Sequence, residues 1–233
     1  MRYLSFIIIL LPIVCLSQTV DSYSCPDCDL SLQGFAFEVF GGIGPFSVDA
    51  DSPMVTEKMG IDELPPWGIR GGGGFQFYPG GRYRLSLYGG YNWTRISEDQ
   101  NKLNASAYWG AFTPELVRTA GYIRLGAGLG IGGGMVSVKA VECSIEKTEN
   151  TPMFVLYPKA SIEFPLSDFL TLSLDMSYLW FTGEDKTMRW NGPSIGEEVV
   201  LRELRYSPVE FGGPSISIAL SIGKVIELRD RPK

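Results

Sequence analysis

Residues 169–182 read FLTLSLDMSYLWFT, and their alternation decides the fold. Leu170, Leu172, Leu174, Met176, Tyr178 and Trp180 fall on one side of an extended chain, and Thr171, Ser173, Asp175 and Ser177 on the other. A period of two sustained over that length predicts a β-strand with one apolar and one polar face. Residues 211–226 (FGGPSISIALSIGKVI) repeat the pattern: Ile216, Ile218, Leu220 and Ile222 oppose Ser215, Ser217, Ala219 and Ser221. A face in contact with bulk water normally carries many Lys and Glu. These faces carry small side chains instead, which suit a narrow interior.

Working outward, six more segments alternate in the same way: 33–44, 68–78, 82–96, 104–117, 121–139 and 152–164. Pro79-Gly80-Gly81, residues 118–120 and Pro165-Leu166-Ser167-Asp168 supply tight turns. The other links read as longer loops, among them the charged stretch 97–103, the polar run 140–151 and residues 183–210. Short turns at one end and longer loops at the other predict an all-β fold, an up-and-down antiparallel transmembrane β-barrel of about eight strands. An even strand number places both ends of the barrel on the periplasmic side.

Alternation alone also suits a soluble, lipocalin-like barrel. Two magnitudes favour an apolar exterior. A barrel of about eight strands has an interior only just wide enough for side chains, and the large apolar residues are too many to fit. On one face of 82–96, Tyr83 and Trp93 bracket Leu85, Leu87, Gly89 and Tyr91. Ten steps of ~3.3 Å tilted by ~45° rise about 23 Å, close to the ~25 Å apolar band of an outer-membrane barrel.

The same phase turns Glu38, Arg70, Gln76, Arg84, Asn92, Glu115, Arg124, Lys159, Glu163 and Asp175 inward. Both signs are present. Unpaired buried charge is costly, so these groups are expected to pair into a plug-like lumen network; a selective pore lined by them is the alternative. Gly71 to Gly74 and the series Gly126, Gly128, Gly130 and Gly132 lack the Lys-Ser/Thr and the strand-to-helix setting of a phosphate loop. Inward glycines relieve crowding in a curved sheet.

The start of the chain reads as a signal peptide, residues 1–17: Arg2, an apolar run over 4–16, and the small residues Cys15 and Ser17 two apart. Residues 18–32 follow as an N-terminal periplasmic segment, 33–226 as the barrel and 227–233 as a charged tail. The leading apolar run falls short of the ~20 residues that span a bilayer, and later runs are broken sooner. Crossing a membrane therefore falls to strands. With 28 Gly, 5 Trp, 11 Tyr and 13 Phe, the composition is that of a barrel.

A net charge of −6 argues against nucleic acid, which selects basic patches. The chain has no histidine, so the commonest metal ligand and the commonest general base are missing, and neither a cofactor nor catalysis is expected. Beyond the signal, Cys25, Cys28 and Cys143 make an odd count and hence no disulfide framework. Cys25-Pro26-Asp27-Cys28 reads as a local disulfide in an oxidising compartment; a redox role would need a thioredoxin-like setting. Glu184-Asp185 and Glu197-Glu198 lie in the long loop as solvated charge, although a hydrolase working at a barrel rim could use such carboxylates.

The signal, the eight segments, Thr113-Pro114-Glu115-Leu116-Val117 and the stretch 121–130 (GYIRLGAGLG) resemble the small porin-like outer-membrane β-barrel proteins, the class of the OmpA and OmpX types. Leu16-Ser17-Gln18 is similar to the signal ends of Bacteroidetes. The resemblance implies a bacterial outer membrane, with outer-membrane lipid and the outer-membrane assembly machinery as partners. One departure stands out: such barrels end on an aromatic residue, whereas here the last segment ends at Ile226. The expected function is a structural or surface-interaction role through extracellular loops, toward an unknown ligand. A small-solute channel is the alternative.

Overall fold

The computed structural model describes residues 30–45, 67–98, 101–143, 145–191 and 201–229. Cys25, Cys28, the signal peptide and Glu197-Glu198 lie outside the described residues. Eight strands close into an antiparallel up-and-down barrel: β1 (Leu30–Pro45), β2 (Trp67–Gly80), β3 (Tyr83–Glu98), β4 (Asn101–Ala120), β5 (Ile123–Glu142), β6 (Ile145–Ser167), β7 (Leu170–Thr182) and β10 (Gly213–Arg229). Between β7 and β10 a two-stranded hairpin, β8 (Lys186–Asn191) and β9 (Leu201–Tyr206), is followed by a 3-10 turn at Pro208–Phe211. Each strand pairs with its chain neighbour, and β1–β10 closes the ring from Leu30↔Arg229 to Ile43↔Ile216.

One end of the barrel is closed by tight turns. Gly81 (φ +68°) and Gly121 (φ +66°) take the left-handed conformation that a turn there requires and that a Cβ would strain. Both ends of the barrel chain, near Leu30 and Arg229, lie at this turn end. The opposite, loop end carries the tips of the β3–β4 and β5–β6 hairpins and the β8–β9 hairpin.

The exterior holds an apolar band. On β5 it runs from Leu125 to Met135, eleven residues and ten steps, or about 25 Å along the barrel axis at a ~40° tilt. Exposed aromatics mark both edges: Phe35, Phe77, Tyr83 and Phe164 toward the turn end, Tyr91, Tyr108, Phe154 and Trp180 toward the loop end. Tyr91 and Tyr108 face each other in register with ring centroids 4.6 Å apart.

Two expected loops are strand instead. The described residues of 97–103 and 140–151 extend the β3–β4 and β5–β6 hairpins, paired through Glu98↔Asn101 and Glu142↔Ile145. Their charges misled because the exterior beyond Tyr108 is polar: Lys102, Glu146, Thr148 and Asn150 point out, as do Asn104, Ser106, Ser137 and Lys139 on the adjoining strands. Alternation continues with reversed sense, since Leu103, Ala105, Ala107, Val136, Val138 and Ala140 are buried within. The long link 183–210 likewise holds β8 and β9. At the barrel's ends, residues 30–32 and 227–229, read as flanking segment and tail, belong to β1 and β10.

Candidate functional site

The lumen is filled in tiers. Nearest the turn end, Arg84 on β3 lies between two carboxylates. Its Nη2 donates to Glu115 Oε2 on β4 (2.5 Å) and its Nη1 to Glu163 Oε1 on β6, and Nη1 also donates to Tyr78 OH (3.1 Å). Ser86 Oγ donates to the second Glu115 oxygen (2.5 Å). Arg124 on β5 is buried opposite Glu163 in the β5–β6 register.

The next tier is built around Lys159 on β6. Its Nζ lies 3.0 Å from Glu38 Oε1 on β1, 3.0 Å from Asp175 Oδ2 on β7 and 2.9 Å from Tyr88 OH on β3. Gln76 Nε2 donates to Glu38 Oε2 (2.6 Å) and to Tyr88 OH (3.1 Å), while Ser221 Oγ donates to Glu38 Oε2 (3.2 Å). One ammonium thereby ties three strands across the interior. Lys159 and Arg84 are each about 1% exposed, so these bonds form out of bulk water, where a satisfied network rigidifies the structure.

Above this tier the rings of Phe40, Trp109 and Tyr157 surround Arg70 on β2, whose Cζ is 5.3, 4.9 and 5.2 Å from the ring centroids. Arg70 Nη1 donates to Ser177 Oγ (2.8 Å) and to Ser215 Oγ. Facing glycines make room for the rings. A Cβ at Gly74 would come within 2.4 Å of the Tyr88 ring, and at Gly90 within 2.5 Å of the Trp109 ring.

At the loop end the interior turns apolar. Leu103, Val136, Val138, Met153, Val155, Leu179 and Phe181 form one cluster with Met188, Trp190, Leu204, Tyr206 and Phe211, so β8–β9 and the 3-10 turn supply its cover. Two bonds fix the hairpin: Trp190 Nε1 donates to Glu142 Oε2 (3.2 Å), and the Tyr206 and Thr151 hydroxyls meet at 2.9 Å. Its other face is charged. Glu203 lies 3.1 Å from both Arg189 Nε and Arg205 Nε, and the hydrogen bond from Arg205 first, then the charge of Arg189, holds its carboxyl below the usual range.

The structure places all ten inward-read side chains in the barrel interior, buried. It joins Glu38, Gln76, Lys159 and Asp175 in one cluster and Arg84, Glu115 and Glu163 in another. Arg70 stands apart with Asn92 opposite it. The aromatics Phe40, Tyr78, Tyr88, Trp109 and Tyr157 went unread as lumen residues, although Tyr88 shares its parity with Arg84 and Asn92. Glu184 is exposed and pairs with Lys186 (3.2 Å). Cys143 is an exposed free thiol at the β5–β6 tip. Among the described residues, no group of three or more His, Cys, Asp or Glu side chains is placed to hold a metal ion.

No family model matches the chain, and no curated protein matches it. Solved structures do. The outer-membrane protein OprG from Pseudomonas aeruginosa superposes with a TM-score of 0.50 at 11% identity, covering 82% of this chain and 96% of that one. The fold is that of outer-membrane β-barrels. Weaker likenesses reach Neisserial surface protein A (TM-score 0.43, 9% identity, 82% of this chain and 97% of that one) and Ail of Yersinia pestis (0.40, 13%, 85% and 99%). At such identities the likeness is one of fold.

Proposed function

We propose that this chain is a bacterial outer-membrane barrel that works through its loop end, in a structural or surface-binding role, and not as a channel. The observation that carries this reading is the reversal of exterior polarity along β4, β5 and β6. From Tyr108 toward the turn end their outer residues are apolar, as a lipid-embedded barrel requires, around a lumen filled by the hydrogen-bonded tiers. Beyond it their outer residues are largely polar, and β4 and β5 turn Leu103, Ala105, Ala107, Val136, Val138 and Ala140 inward, as a small water-exposed domain requires. The barrel thus carries a packed outer domain whose exposed surface is formed by hairpin exteriors and the charged face of β8–β9.

Support for a closed lumen comes from the stacked tiers, in which Lys159, Arg84 and the aromatic rings meet across the interior. Outer-membrane lipid and the assembly machinery are the proposed partners of the barrel wall. The ligand of the loop end is of unknown class.

Thiol labelling on intact cells tests the placement, in a Cys25→Ser, Cys28→Ser background. A membrane-impermeant maleimide is expected to label Cys143 from outside. A cysteine placed at the turn end by Asp168→Cys is expected to react only after the outer membrane is permeabilised. Equal labelling of both sites on intact cells, or recovery of the protein in soluble periplasm, would overturn the reading.

A further inference from the structure

Arg70 differs from the other lumen cations. Arg84 holds two carboxylates and Lys159 two more, whereas no carboxylate among the described residues pairs with Arg70. Only Nη1 is used, on two serine hydroxyls. Nε and Nη2 have no acceptor among the described residues. These two atoms form one edge of the guanidinium, the parallel N–H fork that grips anions.

The surroundings hold that edge in place. Three aromatic rings pack around the guanidinium, and the side chain is 2% exposed. Asn92 lies opposite Arg70 in the β2–β3 register, and its side-chain oxygen, as placed, is likewise unpartnered. A half-turn of that amide presents two further N–H donors. Arg70, Asn92, Ser215 and Leu179, with the glycines at 44 and 68, line one small cavity. Its volume is about 10 Å³, and space of that order suits a single small particle.

A buried guanidinium with a free fork is expensive unless a counter-charge meets it. We propose that this cavity is a binding site for one monatomic anion, of the size of chloride, held by Arg70 Nε and Nη2 with Asn92 as the third donor. The ion completes the charge balance of the aromatic tier and holds Arg70, which joins β2 to β7 and β10 through Ser177 and Ser215, beside Asn92 of β3.

Diffraction from crystals of the full protein grown with sodium bromide, at the bromine absorption edge, tests this directly. An anomalous peak beside Arg70 Nε and Nη2 is expected. Density there without anomalous signal would mean water, and bromide peaks confined to the outer surface would mean adventitious ions; either would overturn the proposal. In solution, replacing gluconate by chloride at constant ionic strength should raise the melting temperature of the wild-type barrel and saturate. Arg70→Met should abolish that rise. A chloride response of equal size in both proteins, or in neither, would count against the site.

Discussion

Lys159 on β6 reaches across the lumen to Glu38 on β1, Nζ to Oε1 3.0 Å, although two other strands separate β6 from β1 around the ring. This contact spans the interior instead of following the wall. It fixes the width of the barrel at that level and fills the passage that a channel would need.

Removing one partner of a buried charge pair leaves the others uncompensated. Lys159→Met strands Glu38 and Asp175 together, and the expected loss is about 3–5 kcal/mol in urea unfolding. The heat-modifiable gel shift of the folded barrel should disappear at a lower temperature than in wild type.

Glycines facing in and out should respond oppositely to the same change. Gly90→Ala sets a Cβ 2.5 Å from the Trp109 ring and is expected to cost about 1–3 kcal/mol by overpacking. Gly110→Ala meets nothing nearer than 3.6 Å, on the exterior, and should be neutral or slightly stabilising through the unfolded chain. Paired unfolding midpoints check both.

An arginine scan along the outside of β5 should map the lipid band. Leu129→Arg lies near its middle, and a cost of about 2–4 kcal/mol is expected. Ser137→Arg, beyond Met135, should cost no more than about 1 kcal/mol. Equal effects at the two positions in a vesicle-folding assay would remove the basis for placing the band in lipid.

The β8–β9 hairpin depends on its inner face. Trp190→Ala deletes a nearly buried ring and its bond to Glu142, and the cover should detach while the barrel stays folded. Trypsin is then expected to cleave after Arg189 or Arg205 in the variant much faster than in wild type, with the barrel core still resistant.

Much of this molecule was legible as parity. Residues 169–182 and 211–226 gave strand, face and barrel at once, because a polar lumen and an apolar exterior write a two-residue period. The turn at Gly80-Gly81 was legible because backbone geometry demands glycine there, whereas the one read at 118–120 falls at Gly121, with 118–120 still paired in β4. Lys102, Glu146 and their neighbours were not, because beyond Tyr108 solvent moves to the outside and charge there no longer signals a loop. The inward aromatics were hidden by the same assumption in reverse, that bulk belongs to the lipid face. Which partner Lys159 or Arg84 would choose depends on how far round the ring each side chain reaches, and one-dimensional alternation carries no such distance.

Single-channel recording in planar bilayers bears most directly on a barrel closed by its own side chains. For protein verified as folded by its heat-modifiable migration, no steady conductance steps are expected across a range of salts and voltages. Long-lived, ion-selective open levels from the wild-type chain would contradict a filled lumen and restore the channel reading.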